Sequence, residues 1–193
     1  MRFGGSKSRV ALVDALMFPA GVRYALSDLT FEQISTAETA ARQWFRLAAR
    51  HPKATMSMPS VTVDKLWLAF SRHEREYGEF CKSAVGRAYP YTSQHGALAA
   101  TYRFAREDEP GDRLPLLFRL DKELVVTGGR SYIADCGGRG QCFDVKDAIC
   151  LQHLTGVGRV TKRNGMSGPG PSAEGLTYGG GGGGGCGGGC GGT

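Results

Sequence analysis

The chain has 193 residues, of which 30 are glycine, with 24 Lys and Arg against 18 Asp and Glu. Twelve glycines fall in the last fifteen residues, 179–193, and the remaining 178 residues hold 18, about a tenth against an ordinary share of roughly 7%. Glycine without a three-residue period excludes collagen, six cysteines are too few for a disulfide scaffold, and no run approaches the roughly 18 apolar residues of a membrane span.

The net charge of +6 is spread over the body: +4 in residues 1–53, zero in 54–110 and +3 in 111–163, with Glu174 alone beyond. No basic block marks a nucleic-acid arm, so nucleic acid is not an expected partner. Arg2, Lys7 and Arg9 ahead of Val10 resemble the start of a secretory signal, but Asp14 and Pro19 interrupt its apolar stretch. The expectation is a soluble cytoplasmic protein with reduced thiols.

In chain order, a short apolar stretch in residues 10–30 meets a turn signal at Pro19-Ala20-Gly21. Asp28 or Thr30 can cap the helix that follows. Ile34, Ala37, Ala41, Trp44, Phe45 and Ala48 recur at three- and four-residue steps, predicting an amphipathic helix of about five turns that ends at His51-Pro52. Pro59-Ser60 opens the next element, with Asp64 near its positive end. Its apolar face, Val63, Leu66, Trp67 and Phe70, resumes in Tyr77, Phe80, Cys81 and Ala84, and Gly86 is a stop. One long helix or two with a break near Ser71–His73 both fit. A further helix is predicted over Gln94–Arg106 with Ala97, Ala100 and Phe104 inward, then a charged loop over 106–112. Leu116–Leu120 and Leu124–Val126 are short apolar runs, and Gly128-Gly129 before Tyr132-Ile133 suggests a small hairpin.

Met58-Pro59-Ser60-Val61-Thr62-Val63-Asp64-Lys65-Leu66-Trp67, followed by Tyr77-Gly78-Glu79-Phe80-Cys81, resembles the pattern of the bacterial and plant glycine-rich domain-containing proteins, a family of largely unknown function. Thr101–Phe104, Leu114–Asp121, Gly129–Tyr132 and the Gly/Cys tail are similar to further segments of that family. The family pattern places His after the Trp and further His after the glycine equivalent to Gly86. Here those places hold Leu68 and Arg87-Ala88-Tyr89-Pro90-Tyr91. A metal or acid/base role resting on those histidines does not transfer.

The residues themselves offer several sites, each with a plainer reading beside it. Trp67, Phe70, Tyr77 and Phe80 at helical spacing read as core. Asp64 reads as compensation for a helix N-terminus, and His73 as a solvated or hydrogen-bonded side chain. Cys81 reads as a small buried hydrophobe, about 12 Å along a continuous helix from His73 and so without a base in reach. Arg42, Arg46 and Arg50 line one helix face, either a solvated stripe or a seat for phosphates. Cys136, Cys142, Cys150 and His153 make a complete tetrahedral zinc set in number but lack a Cys-x2-Cys pair; unlinked thiols in a packed subdomain are the other reading. No cofactor is expected, with zinc at those four residues as the alternative. The glycines of 179–185 cannot offset their ordering cost by burial, which leaves Cys186 and Cys190 as accessible thiols for metal, cross-linking or modification, or as parts of a low-complexity extension.

The sequence therefore predicts one mainly α domain over 1–163, with a small β-hairpin element near 115–135, and a disordered Gly/Cys-rich tail over 164–193. No catalytic set assembles, and a non-enzymatic binding or scaffold protein with an unknown protein partner is the leading expectation. A metal-binding or redox-linked protein is the alternative.

Overall fold

The structure, a computed structural model, describes residues 4–92, 97–134 and 148–154, the side chains of residues 4–6 and His153 aside. It is mainly helical, as expected. The segments 93–96, 135–147 and 155–193, and with them the tail, lie outside the described residues.

The N-terminal apolar stretch forms helix α1, Gly4–Asp14, whose Val13 is buried against later helices. After Pro19 comes a single turn, α2, Ala20–Arg23, running into a 3-10 turn at Tyr24–Leu26. Helix α3, Phe31–Arg50, is the central element. Thr30 starts it with a reciprocal capping box: its hydroxyl accepts from the Gln33 N–H at 3.3 Å, and the Gln33 side chain accepts from the Thr30 N–H at 2.9 Å. Ala37, Ala41, Trp44, Phe45 and Ala48 are buried as their spacing predicts, and Ile34 is half-buried.

Helix α4, Val61–Ser71, begins at Ser60, whose hydroxyl accepts from the Val63 N–H at 3.2 Å. The apolar pattern that follows is two helices. The chain breaks at Arg72–His73, and α5, Glu74–Phe80, continues into a π-helical turn, Cys81–Val85. Gly86 ends that run at φ 81°, a left-handed value favourable to glycine. The Arg9 guanidinium lies close by: a Cβ on Gly86 would be 2.6 Å from it, so that side chain would have to shift. The guanidinium thereby sits over the negative end of the α5 run, where a cation is favoured.

Helix α6, Leu98–Asp108, departs from expectation in phase and length. Its buried residues are Leu98, Thr101 and Ala105, not Ala97, Ala100 and Phe104, which are half-buried. Thr101 turns inward because its hydroxyl accepts from the Ser57 N–H at 2.9 Å and donates to the Ser57 carbonyl at 3.0 Å. The helix runs on to Asp108, into the charged stretch read as a loop, because α3 supplies partners for its acidic end.

The largest correction concerns residues 115–135. Leu116–Glu123 is a helix, α7, with Leu117, Phe118, Leu120 and Asp121 buried. Its exposed N-terminal donors are met from a distance: Glu109 accepts from the Leu116 N–H at 2.7 Å and Gln43 of α3 from the Leu117 N–H at 2.8 Å. Gly128-Gly129 belongs to the turn that leaves α7 and makes no hairpin. Strand β1, Ser131–Ile133, pairs in parallel with β2, Ala148–Cys150, with Ser131 opposite Ala148 and Ile133 opposite Cys150. Parallel strands need a crossover, so a tight turn does not close this pair. A last turn, α8, covers Leu151–Leu154. No helix among the described residues is long and apolar enough to cross a membrane.

Candidate functional site

Trp67 of α4 stands at the centre of an aromatic cluster. Its ring centroid lies 5.3 Å from Trp44 of α3, and its indole N–H donates to the Tyr77 hydroxyl at 2.8 Å. Tyr77 in turn donates a short hydrogen bond to the Tyr89 carbonyl, so α4, α5 and the segment after Gly86 are tied in one chain of bonds. Burial pushes the Tyr77 and Tyr89 hydroxyls far above the ordinary tyrosine range, so both stay protonated. Tyr89 stacks on Trp67 at 5.4 Å and 17°, and Tyr91 meets it edge-on at 4.9 Å. The Tyr91 hydroxyl donates to Asp64 at 3.1 Å. The segment Tyr89–Tyr91 thus packs on Trp67.

A second polar centre forms around Asp121. Its carboxylate, 3% exposed, accepts from the Ser60 hydroxyl at 2.6 Å and from the N–H groups of Val61, Thr62 and Arg130 at 2.8, 3.2 and 3.0 Å. Two of these donors belong to the first turn of α4, where an anion is favoured. The Tyr132 hydroxyl donates to the Pro59 carbonyl at 2.8 Å and the Arg130 guanidinium to that of Met58. Gly129 permits the closure: a Cβ there would lie 2.9 Å from the Asp121 Cβ. The Pro-Ser-Val motif is therefore held by side chains some sixty residues later, and its polar groups serve the fold.

The arginine face of α3 is neither a solvated stripe nor a seat for phosphates. Arg42 pairs with Glu38 at 3.4 Å, and Glu38 also takes Arg23 at 2.6 Å. Arg46 bonds Asp108 at 2.9 Å and Asp14 at 3.0 Å, and Arg50 makes a short bond to Asp108. Burial alone would lower the Arg46 pKa; the bonds and charges of Asp108 and Asp14 outweigh it and raise it. Arg46 and Arg50 thereby fasten α1 and α6 to α3.

His73 precedes α5 and packs against Gly21, where a Cβ would meet its ring at 3.4 Å. Cys81 is buried; burial pushes its thiol up, partly offset by the neighbouring Tyr77 hydroxyl and Tyr89 backbone, and so holds it protonated. Of the four zinc candidates, Cys150 is buried at the end of β2 and His153 lies in α8, while Cys136 and Cys142, like the tail thiols Cys186 and Cys190, lie outside the described residues. Among the described residues no three His, Cys, Asp or Glu side chains gather as a metal would need.

What the sequence did not point to is a groove beside α1. Leu12, Leu16, Met17 and Pro19 form one wall, and Phe70 and Phe80 the other, around a space of about 340 Å³. Glu76 and Glu79 stand at its edge. Met17 is 75% exposed and Leu12 46%, so the groove opens with apolar side chains toward solvent. The one available signal was Leu16-Met17 ahead of Pro19, apolar residues that the helical pattern of α3 leaves unclaimed.

The fold and its centre define a class: a helical domain built on one long helix, with a tryptophan–tyrosine cluster at the joint of α4, α5 and the segment after Gly86. More particularly, the chain belongs to the UCP032817-like family, an uncharacterised family whose model matches residues 8–154. The match runs from α1 to α8 and leaves out the Gly/Cys tail. No curated protein and no solved structure matches the chain.

Proposed function

We propose that this protein is a non-enzymatic binding or scaffold protein whose helical body engages a partner protein and carries the Gly/Cys segment to it. The observation that carries this reading is the groove of Leu12, Met17 and Phe80, apolar within and acidic at Glu76 and Glu79. Such a surface suits an amphipathic helix with apolar anchors and a basic flank. Methionine adapts to irregular partners, which favours recognition over a rigid lock. The buried carboxylates support the same reading, since Asp121, Glu38 and Asp108 are each engaged in joining helices.

The test is affinity capture from the native host with the full chain, compared with Met17→Asp and with the double variant Glu76→Lys/Glu79→Lys. All three positions are exposed, so the fold tolerates the changes. The expected result is a protein whose recovery falls at least tenfold with both variants. Equal recovery with all three baits defeats the groove, and no specific capture by the unaltered chain defeats the scaffold reading. The zinc reading of Cys136, Cys142, Cys150 and His153 remains a separate proposal; elemental analysis showing less than stoichiometric zinc in protein from the host removes it.

A further inference from the structure

On another part of the surface lies a smaller hollow of about 260 Å³, bounded by Lys53 and Thr55 after α3 and by Arg87, Tyr89 and Thr92 after the π-helical turn, with Trp67 among its walls. Its charge is unlike that of the α3 face. There every arginine meets a carboxylate. Here no Asp or Glu is part of the lining, and neither Lys53 nor Arg87 joins an ion pair among the described residues. Two cations facing one hollow without a counter-charge make a local positive potential, which concave low-dielectric walls concentrate.

We propose that this hollow binds a small oxyanion, the phosphate or carboxylate group of a compact metabolite. Lys53 and Arg87 supply the charge, and Thr55 and Thr92 bring hydroxyls that can donate. Arg87 lies over the Tyr89 ring at 5.8 Å, an arrangement that steadies the guanidinium by its face and leaves its edge N–H groups for an anion. The wall is prepared in advance. Tyr89 is stacked on Trp67, its carbonyl is held by Tyr77, and its protonated hydroxyl adds no negative charge. The volume lies just below the roughly 300–1,000 Å³ of drug-sized sites, which limits the occupant to the anionic group and a short attachment. This inference does not depend on the groove, which lies along α1 and α5.

Trp67 provides the readout, because the chain has only two tryptophans. The experiment titrates the full chain with inorganic phosphate and, separately, with malonate, following tryptophan emission and heat. Saturable binding of one or both is expected, weaker in high salt. Phosphate-selective binding assigns a phosphoryl ligand and malonate-selective binding a carboxylate. The double variant Lys53→Ala/Arg87→Ala, at exposed positions, is expected to lose at least tenfold in affinity with an unchanged thermal melt. No saturable signal for either anion up to about 10 mM overturns the proposal, as does equal affinity in the double variant.

Discussion

Asp121 and Asp108 are both withdrawn from water, yet the molecule uses them in opposite ways. Asp121 faces neutral donors: one hydroxyl and three backbone N–H groups, two of them from the first turn of α4. Asp108, whose side chain is 1% exposed, faces two guanidiniums of α3. The first carboxylate replaces water for a helix end and a loop whose donors have no local partner. The second neutralises cations that would otherwise repel along one face. The comparison shows that a buried acid in this fold reports how the surrounding chain is satisfied, and that charge pairing is only one of the ways.

Asp121→Ala should break the molecule most. It leaves four donors unsatisfied at once, so a loss of about 3–5 kcal/mol is expected in denaturant unfolding, and a loss under about 1 kcal/mol would show that water replaces the carboxylate. Asp108→Ala should cost less, about 1–3 kcal/mol, because Arg46 and Arg50 keep partial access to solvent. Salt sharpens the contrast: the Asp108 effect should shrink in about 0.5 M salt, where screening acts within a few ångströms, while the Asp121 effect should not. Parallel salt dependence in the two variants would erase the distinction.

The smallest effect has the opposite sign. Val125 follows α7 at φ 53° and is 86% exposed, a left-handed conformation unfavourable to a β-branched residue. The Val126 N–H nevertheless closes on the Asp121 carbonyl at 3.0 Å, the bond that ends a helix with a left-handed residue. Val125→Gly should stabilise the domain by roughly 0.5–1 kcal/mol, since relief of strain exceeds the added freedom of the unfolded chain. A destabilised variant would mean that the valine side chain makes a contribution its exposure does not suggest.

Helices α3 and α4 were legible because their instructions are local. Thr30 and Gln33 cap one start and Ser60 the other, and the apolar residues repeat at helical spacing between cap and stop. Even the break between α4 and α5 was legible as one of two options, and Gly86 as a terminus. The phase of α6 was not, because a threonine turned inward only makes sense once Ser57 is beside it. The candidate sites divide in the same way. Trp67 and its aromatic neighbours were legible as core. The groove was not, since its walls come from α1, α4 and α5, and neither was the hollow, whose two cations are 34 positions apart in sequence.

By itself the amino-acid sequence determined that this is a mainly helical protein with a long central amphipathic helix, because helix periodicity and capping act over a few residues. It also separated the body from the Gly/Cys tail, since composition alone carries that difference. Only the tertiary structure decided that Leu116–Glu123 is a helix, because its first N–H groups are met by Gln43 and Glu109, which sequence distance conceals. It likewise decided that the arginines of α3 are fasteners. The carboxylates that meet Arg46 and Arg50 arrive from α1 and α6, and a charge has no meaning for function until the groups that face it are known.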